Sequence, residues 1–279
     1  MAEEDRQRRL QDHPGDHRLS DSRPVGVFDS GVGGLSVLGA LRAALPAENM
    51  VYWADTAHAP YGERGDAYVI DRSFSVTEQL RREHGIKALV VACNTATAAA
   101  IHLLRERYPD LPLVGVEPAL KPAAQLSQTR QIGVLATRGT LASAKFRALH
   151  DRLADQAHFH LQACDGLADA IERDDGERIA ALCERYLGAL GPLGNEGSAI
   201  DTVVLGCTHY PFAGATLQAL AGPSVRLVET GEPVARQTHR LLEASALLRP
   251  TGVGSLVLTG NGDRDTLLGA ARRWLGRID

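Results

Sequence analysis

Two cysteines of this 279-residue chain have surroundings suited to acid–base chemistry. Cys93 follows an apolar run at 88–92 and precedes a segment with helical spacing. At a helix N-terminus the dipole and the free N–H groups favour a thiolate, so we expect a lowered pKa for this thiol. Cys207 holds a similar place between an apolar run at 202–205 and a predicted helix at 210–220. Both cysteines are therefore predicted to be functional.

The other two cysteines lack this context. Cys164 and Cys183 are interpreted as small buried side chains, which is the common role of a free cysteine. Four cysteines without a Cys-x-x-Cys pair are too few for a disulfide scaffold and do not match a zinc site. The Cys207-x-His209 pair has no second pair at ligand spacing, so no metal is predicted.

The sequence around the two functional cysteines repeats. Residues 132–137 echo 25–30, and residues 203–208 echo 90–95, with offsets of roughly 110 residues. If the two halves face each other about an approximate two-fold axis, the thiols reach one site from opposite sides. One thiol could remove a proton from a carbon while the other returns one to the opposite face, which inverts its configuration. The repeat therefore predicts a racemase or an epimerase.

Lysine is scarce, which bears on the choice of cofactor. Pyridoxal phosphate, the common electron sink for such a proton transfer, is tied to a lysine. Lys87, Lys121 and Lys145 are the only lysines, and none lies in a Gly-rich phosphate-binding context. A mechanism without a cofactor is therefore predicted.

Polar residues collect where the predicted strands end. Asp29 and Ser30 precede the turn 31–34, where glycines allow close approach and free N–H groups can hold a carboxylate. The remaining candidates for binding an amino acid are Tyr61, Gly62, Asn94, Thr95, Thr208 and His209. Helix capping explains one or two of these residues, but not Asp29, which could orient a thiol or an ammonium group.

Two other enzyme classes fit less well. The Gly-x-Gly of the turn 31–34 is followed by Ser36 where the dinucleotide fingerprint has its third glycine. Asp29, which precedes the turn, would place a negative charge facing the pyrophosphate. The Gly-x-Ser-x-Gly elbow of an α/β-hydrolase is absent from the sequence. Neither NAD binding nor serine hydrolysis is therefore predicted.

The composition is that of a globular protein, with 44% hydrophobic and 23% charged residues. A net charge of -4 provides no basic excess for nucleic acid, and no apolar run is long enough to span a membrane. Residues 1–23 are dense in both signs of charge and lack the pattern of a secretory signal, so a disordered tail is expected. A cytoplasmic protein with reduced thiols is the expectation that follows.

Beyond residue 23, short apolar runs alternate with longer segments of helical spacing. The predicted strands span 25–28, 51–54, 88–92, 113–116, 132–135, 202–205, 225–228 and 255–258. The predicted helices span 35–45, 67–83, 97–107, 142–153, 177–190 and 234–248. This alternation predicts an α/β fold with largely parallel sheets flanked by helices, and the repeat divides it into two similar domains.

Six stretches carry a family resemblance. They are VFDSGVGGLSV at 27–37, ADT at 54–56, PYG at 60–62, CNTA at 93–96, LATRGT at 135–140 and LGCTHYP at 205–211. Together they resemble the glutamate racemases of the aspartate/glutamate racemase superfamily. The resemblance implies two α/β domains related by a pseudo-two-fold axis, with the active site in the cleft between them. It implies a first domain of 24–119 plus 229–279 and a second domain of 120–228.

The resemblance also implies cofactor-independent interconversion of L- and D-glutamate, which supplies D-glutamate for the peptidoglycan of the bacterial cell wall. It assigns Cys93 to D-glutamate and Cys207 to L-glutamate, with Asp29 and His209 as auxiliary groups. The substrate contacts that it implies are Asp29, Ser30, Tyr61, Gly62, Asn94, Thr95, Thr208 and His209.

Several points stay open at this level. Glu172 lies as many residues after Cys164 as the corresponding Glu does in many family members, but Asp165 replaces the usual proline. Two roles of Glu172 therefore stay open, an auxiliary catalytic group and a solvated helix carboxylate. The loop 116–122 resembles that of members some of which respond to a peptidoglycan precursor, so such an activator stays open, as does a homodimer.

Two alternative functions are weighed against glutamate racemisation. The first is an aspartate racemase or another two-cysteine amino-acid racemase, although aspartate-directed relatives typically carry Glu where His209 stands. The second is a catalytically silent amino-acid- or nucleotide-binding regulator, although binding alone needs no base on each face of the ligand.

Overall fold

The computed structural model describes residues 21–276. Most of the predicted tail thus lies outside the described residues. Two of its last three residues contact the fold: the Asp21 carbonyl accepts from Lys87 Nζ at 2.8 Å, and the Ser22 carbonyl accepts from Asn49 Nδ2 at 2.7 Å. Between residues 21 and 276, no helix has both the length and the apolar character needed to cross a membrane.

The first sheet contains five parallel strands. They are β1 (Val25–Asp29), β2 (Met50–Ala54), β3 (Ala88–Val91), β4 (Leu113–Gly115) and β9 (Leu256–Gly260), in the spatial order β4-β3-β1-β2-β9. Strands β1, β2 and β3 are buried along their whole length, which explains their continuous apolar sequences.

The second sheet contains four parallel strands. They are β5 (Gln131–Ala136), β6 (His158–Ala163), β7 (Thr202–Leu205) and β8 (Arg226–Val228), in the order β6-β5-β7-β8. Traced from β8, this order repeats β4-β3-β1-β2 of the first sheet. Strand β5 therefore corresponds to β1, and β7 to β3, which are the strands whose sequences echo one another.

Helices cover both faces of both sheets. They are α1 (Leu35–Ala44), α2 (Asp66–His84), α3 (Asn94–Arg107), α4 (Leu120–Leu126), α5 (Arg138–Ala142), α6 (Ala144–Asp151), α7 (Leu167–Glu172), α8 (Gly176–Leu190), α9 (Gly214–Ala221), α10 (Gly231–Ala244) and α11 (Arg264–Leu275). In the first half, α1, α10 and α11 pack on one face of the sheet and α2 and α3 on the other. In the second half, α8 and α9 lie opposite α4 and α6. The predicted α/β class is confirmed.

Some elements differ from the sequence prediction. Strand β6 is an edge strand in which only Phe159 is buried, so its polar residues gave no apolar run. The predicted helix 142–153 corresponds to α6 and begins later, because Ser143 is extended and its side chain caps α6 by accepting the Phe146 N–H. The predicted helix 210–220 begins as a 3₁₀ turn, and the helix itself starts at Gly214. Helices α4, α5, α7 and α11 were not predicted.

The chain passes from the first sheet to the second after β4 and returns after β8, because β9 pairs with β2. This path agrees with the proposed division into 24–119 plus 229–279 and 120–228. The exact limits of the two domains stay a prediction.

Candidate active site

A cavity of about 380 Å³ lies at the carboxyl ends of the strands of both sheets. Such strand ends are the usual ligand sites of parallel α/β sheets. Ten of the predicted site residues line it, namely Ser30, Tyr61, Gly62, Cys93, Asn94, Thr95, Glu172, Cys207, Thr208 and His209. The cavity therefore receives one functional thiol from each half of the molecule.

Cys93 is the residue at which β3 passes into α3. Its sulfur accepts the Ala96 N–H at 3.4 Å and caps the helix, and it lies 3.7 Å from Ser30 Oγ. Burial raises the pKa of this thiol well above its usual value, and the Asp29 carboxylate raises it further. The helix N–H and the serine hydroxyl act in the opposite direction but do not offset burial. The predicted lowering of this pKa was therefore wrong, and Cys93 is a protonated thiol.

Cys207 has a different environment. Its sulfur lies 3.7 Å from His209 Nδ1, while His209 Nε2 lies 2.6 Å from Glu172 Oε1. Burial alone would lower the His209 pKa, but hydrogen bonds with Cys207 and Glu172 outweigh it and raise the pKa well above its usual value. The imidazolium form therefore persists near neutral pH and places a positive charge beside the Cys207 sulfur.

Glu172 belongs to this site rather than to a solvated helix face. It ends α7, is only a quarter exposed, and accepts the Val32 N–H at 2.9 Å as well as bonding to His209. Burial is the largest single influence and raises its pKa, but the hydrogen bond and the positive charge of His209, together with the Val32 N–H, outweigh it and keep the pKa below its usual value. An ionised Glu172 is thus one end of a Glu172–His209–Cys207 chain.

Asp29 is fully buried and lies behind the cavity wall. Its Oδ2 accepts the N–H groups of Gly34 at 2.8 Å and Gly31 at 3.3 Å, whereas Oδ1 has no hydrogen-bond partner among the described residues. Burial raises the Asp29 pKa, and the positive charge of His209 partly opposes this. Oδ1 of Asp29 is therefore not neutralised by a hydrogen bond from the described residues, and the Asp29 carboxylate acts electrostatically on the Cys93 thiol.

Asn94 is the predicted substrate contact whose side chain has the most unused hydrogen-bonding capacity. It is 4% exposed, and neither its amide nitrogen nor its amide oxygen has a hydrogen-bond partner among the described residues. A buried amide without partners is costly, and this one lines the cavity beside Cys93. A ligand with a carboxylate and an ammonium group would satisfy both ends of the amide.

Tyr61 and Gly62 line the cavity, but the tyrosine hydroxyl is committed elsewhere. It donates to the buried carboxylate of Asp55, which also accepts from Arg72 Nη2 at 2.8 Å. We infer that this turn contributes backbone and ring surface rather than a free hydroxyl. Gly62 also lies where the two halves meet, because a Cβ at Gly139 would be 3.2 Å from its carbonyl oxygen.

The glycine turn 31–34 serves protein side chains. A Cβ at Gly33 would lie 2.3 Å from His209 Nδ1, and one at Gly34 would lie 2.6 Å from the Cβ of Asp29. The sequence predicted that other groups approach this turn closely. In the structure the groups that do so are the side chains of His209 and Asp29.

Substituting Gly33→Ala is expected to lower kcat/KM at least about tenfold, because the added methyl group must displace His209 from Cys207. Steady-state kinetics, with circular dichroism to confirm folding, would measure this. The control is Gly269→Ala within α11, where a Cβ meets nothing within 4 Å. Equal activity of both variants would contradict the proposed packing of His209.

The sequence analysis missed several residues that line the cavity. Cys164, interpreted as structural, is one of them, as are Thr137, Arg138 and Asp165. Burial raises the pKa of the Cys164 thiol well above its usual value, so it is neutral. The repeat was the available signal: Thr137 and Cys164 follow β5 and β6, the counterparts of β1 and β2. Within residues 21–276, no cluster of three or more potential metal ligands was found.

Comparison with known families agrees with this geometry. The profile of the Asp/Glu/hydantoin racemase family matches residues 26–238. The chain is 52% identical to a glutamate racemase of Pseudomonas paraeruginosa, over 82% of this chain and 85% of that relative. It is 49% identical to one of Methylococcus capsulatus, over 82% of each chain.

Solved structures show the same likeness. The crystal structure of a glutamate racemase from Bacillus anthracis superposes with a TM-score of 0.81 at 32% identity, covering 92% of this chain and 96% of that one. A glutamate racemase from Escherichia coli, in complex with L-glutamate and the activator UDP-MurNAc-Ala, gives 0.77 at 31% identity, covering 90% and 95%.

Proposed function

The chain belongs to the Asp/Glu/hydantoin racemase family, and we propose that Cys93 and Cys207 carry out its reaction as two opposed acid–base groups. The reaction is the racemisation of glutamate, which makes the protein an isomerase and supplies D-glutamate for peptidoglycan. The observation that carries the two-base proposal is the convergence of both thiols, one from each half, on one cavity.

In the direction from L- to D-glutamate, the Cys207 thiolate removes the α-proton and the Cys93 thiol delivers its own proton to the opposite face. The two environments suit these roles, since His209 places a positive charge beside the Cys207 sulfur while burial raises the pKa of Cys93. In the reverse direction the two roles are exchanged. After one turnover both thiols have changed protonation state, so a proton exchange with solvent must precede the next turnover in the same direction.

We propose that Asn94, Thr95 and Thr208 hold the α-carboxylate and the ammonium group of the substrate, with Ser30, Tyr61 and Gly62 as further cavity contacts. The unsatisfied amide of Asn94 at the start of α3 supports this proposal. Asp29 and His209 are proposed as auxiliary groups, with Glu172 acting through His209.

We further propose that no cofactor takes part. The three lysines are placed elsewhere: Lys87 pairs with Glu48 at 2.7 Å, Lys145 pairs with Glu117 at 2.9 Å, and Lys121 lines a different cavity. A pyridoxal phosphate Schiff base in the thiol cavity would therefore lack its lysine.

The α-protons of L- and D-glutamate are expected to exchange with deuterium in deuterated water, without added pyridoxal phosphate or metal, because thiol-bound protons equilibrate with solvent. Proton NMR measures this, with L-aspartate in parallel and the Cys93→Ser/Cys207→Ser double variant as control. Faster exchange of aspartate than of glutamate would favour an aspartate racemase. Binding of glutamate without any exchange would favour the silent binding protein.

We propose a second, regulatory site. A separate cavity of about 650 Å³ borders the loop 116–122 and includes the basic side chains Arg105, Lys121 and Arg152. Three cationic groups around one cavity suit a diphosphate such as that of UDP-MurNAc-Ala, the activator bound to the Escherichia coli relative.

Saturating UDP-MurNAc-Ala is therefore expected to raise kcat/KM for glutamate about tenfold, which is a common size for allosteric coupling. The Lys121→Ala/Arg152→Ala variant should lose this response, because the diphosphate would lose two of its cationic partners. Initial rates with and without the nucleotide would measure both effects. An unchanged response in the variant would contradict this placement of the activator.

We infer a cytoplasmic location, because the reaction needs reduced thiols and all four cysteines are free in the structure. A homodimer stays a prediction, since the structure describes a single chain.

A further inference from the structure

A buried carboxylate that takes no part in the proton transfers lies behind the turn 60–62 of the cavity wall. Asp55 directly follows β2 and is fully buried. It accepts from the Tyr61 hydroxyl and, at 3.1 and 2.8 Å, from Nε and Nη2 of Arg72. Burial raises the Asp55 pKa, but the hydrogen bonds from Arg72 and Tyr61 and the charge of Arg72 outweigh it and keep the pKa below its usual value. An ionised Asp55 therefore holds the tyrosine that lines the cavity.

Another donor reaches Asp55 from the far end of the chain. Asn261 follows β9, the strand that joins the first sheet after the chain has returned from the second. Its Nδ2 donates to Asp55 Oδ1, and its Oδ1 accepts the Ala57 N–H at 3.1 Å. The same Nδ2 lies 2.9 Å from His58 Nδ1. One side chain thus contacts three residues of the segment that leads from β2 to Tyr61.

The glycines on either side of Asn261 allow this close approach. A Cβ at Gly260 would lie 2.2 Å from the Ala54 carbonyl oxygen, and one at Gly262 would lie 1.9 Å from Thr56 Oγ1. A larger residue at either position would push the two segments apart. Asn261 itself is exposed, so core packing does not explain why the loop after β9 lies against the loop after β2.

We propose that Asn261 is a positioning residue for glutamate racemisation, which fixes Tyr61 and the turn 60–62 by donating a hydrogen bond to Asp55. The inference rests on the proposed function and adds to it a residue outside the cavity. Asn261 does not line the cavity, whereas Tyr61 does. Its substitution should therefore weaken substrate binding and leave the chemical step nearly unchanged.

Asn261→Ala is expected to raise the KM and the dissociation constant of L-glutamate about fivefold, with kcat within about twofold, because Asp55 loses one charge-assisted hydrogen bond at an exposed site. Asn261→Asp keeps the shape and an acceptor for the Ala57 N–H, but places a second carboxylate against Asp55. It should raise both constants further, about twentyfold, because the like charges repel. Steady-state kinetics near pH 8 measures KM and kcat. Calorimetry in the Cys93→Ser/Cys207→Ser background measures binding without turnover.

Arg264→Ala is the matched control, since Arg264 lies in the same loop but lines a different cavity. It should leave both constants within about twofold. Hydrogen–deuterium exchange without substrate tests the route to the turn, and circular dichroism confirms folding. Exchange of the backbone amides at 59–64 should rise at least about threefold in Asn261→Ala and stay unchanged in Arg264→Ala.

Unchanged amide exchange in Asn261→Ala would overturn the proposal, as would raised exchange with an unchanged dissociation constant. An Asn261→Asp variant that binds glutamate as tightly as the wild type would also overturn it, because Asn261 would then act only as an acceptor for Ala57. Absence of racemisation by the wild-type protein would count against the proposed function, whereas amide exchange would still decide whether Asn261 holds the turn.

Discussion

Replacing Cys93 or Cys207 by serine is expected to lower the rate of glutamate racemisation by about a thousandfold in either direction. A serine hydroxyl is far less acidic than a thiol, so it can neither form the base nor deliver the proton at a useful rate. Because the equilibrium constant of a racemisation is one, each variant must lose kcat/KM equally for L- and D-glutamate.

Proton exchange without inversion distinguishes the two thiols. Cys207→Ser retains the Cys93 base, so the α-proton of D-glutamate should exchange at least about tenfold faster than racemisation occurs, whereas that of L-glutamate should not. Cys93→Ser should show the opposite preference. Proton NMR in deuterated water, started from each pure enantiomer, measures exchange, and polarimetry measures inversion.

Cys183→Ser is the matched control, since Cys183 is fully buried among the core residues of α8 and does not line the cavity. Its racemisation rate should stay within about twofold of the wild-type rate. Near-normal racemisation in either cavity variant would contradict the two-base proposal. Exchange of both enantiomers by a single-thiol variant would contradict the assignment of one face to each thiol.

The sequence predicted the parts of this site that local pattern can specify. Cys93 and Cys207 follow buried parallel strands, and the carboxyl ends of such strands face the ligand in any α/β sheet. The repeated strand sequences predicted two similar halves, and the order of four strands that the two sheets share agrees with this. Convergence of the thiols needed one further assumption, that the two halves face each other about an approximate two-fold axis, but no knowledge of side-chain packing.

The charge environment of the thiols could not be predicted in this way. The helix-dipole argument considered only the local N–H groups at Cys93, whereas the pKa depends mainly on burial by residues distant in sequence. The role of Glu172 was open for the same reason. Its ionisation depends on His209 and on the Val32 N–H, and neither is near it in the chain.

Strand β6 and the residues after it show a second limit. An edge strand with one buried residue has no hydrophobic periodicity, so β6 could not be predicted from the sequence pattern. The position of Cys164 and Asp165 at its carboxyl end, where they line the cavity, could not be predicted either. Only the repeat pointed to it, since β6 corresponds to β2. Polar edge elements are therefore where comparison of the two halves adds most to what pattern alone predicts.

Substituting Glu172→Gln is expected to lower racemisation by about a hundredfold, with little change in KM. The carboxylate holds the imidazolium of His209, whose pKa is raised by its hydrogen bonds with Cys207 and Glu172 against the effect of burial. In the folded enzyme the imidazolium keeps its positive charge below this raised pKa and loses it as the pH rises through that pKa. Without Glu172 that loss occurs at lower pH, so the alkaline limb of the kcat profile should move toward neutral pH.

Asp169→Asn separates this effect from a general change of charge, because Asp169 lies on the same helix and lines the same cavity, but pairs with arginines rather than with His209. Its profile should match that of the wild type. In Glu172→Gln the exchange of the D-glutamate α-proton should persist, because Cys93 does not contact the Glu172–His209 pair, whereas exchange of L-glutamate should fall with racemisation. Equal loss of both exchange reactions would show that Glu172 supports the whole cavity rather than the Cys207 side alone.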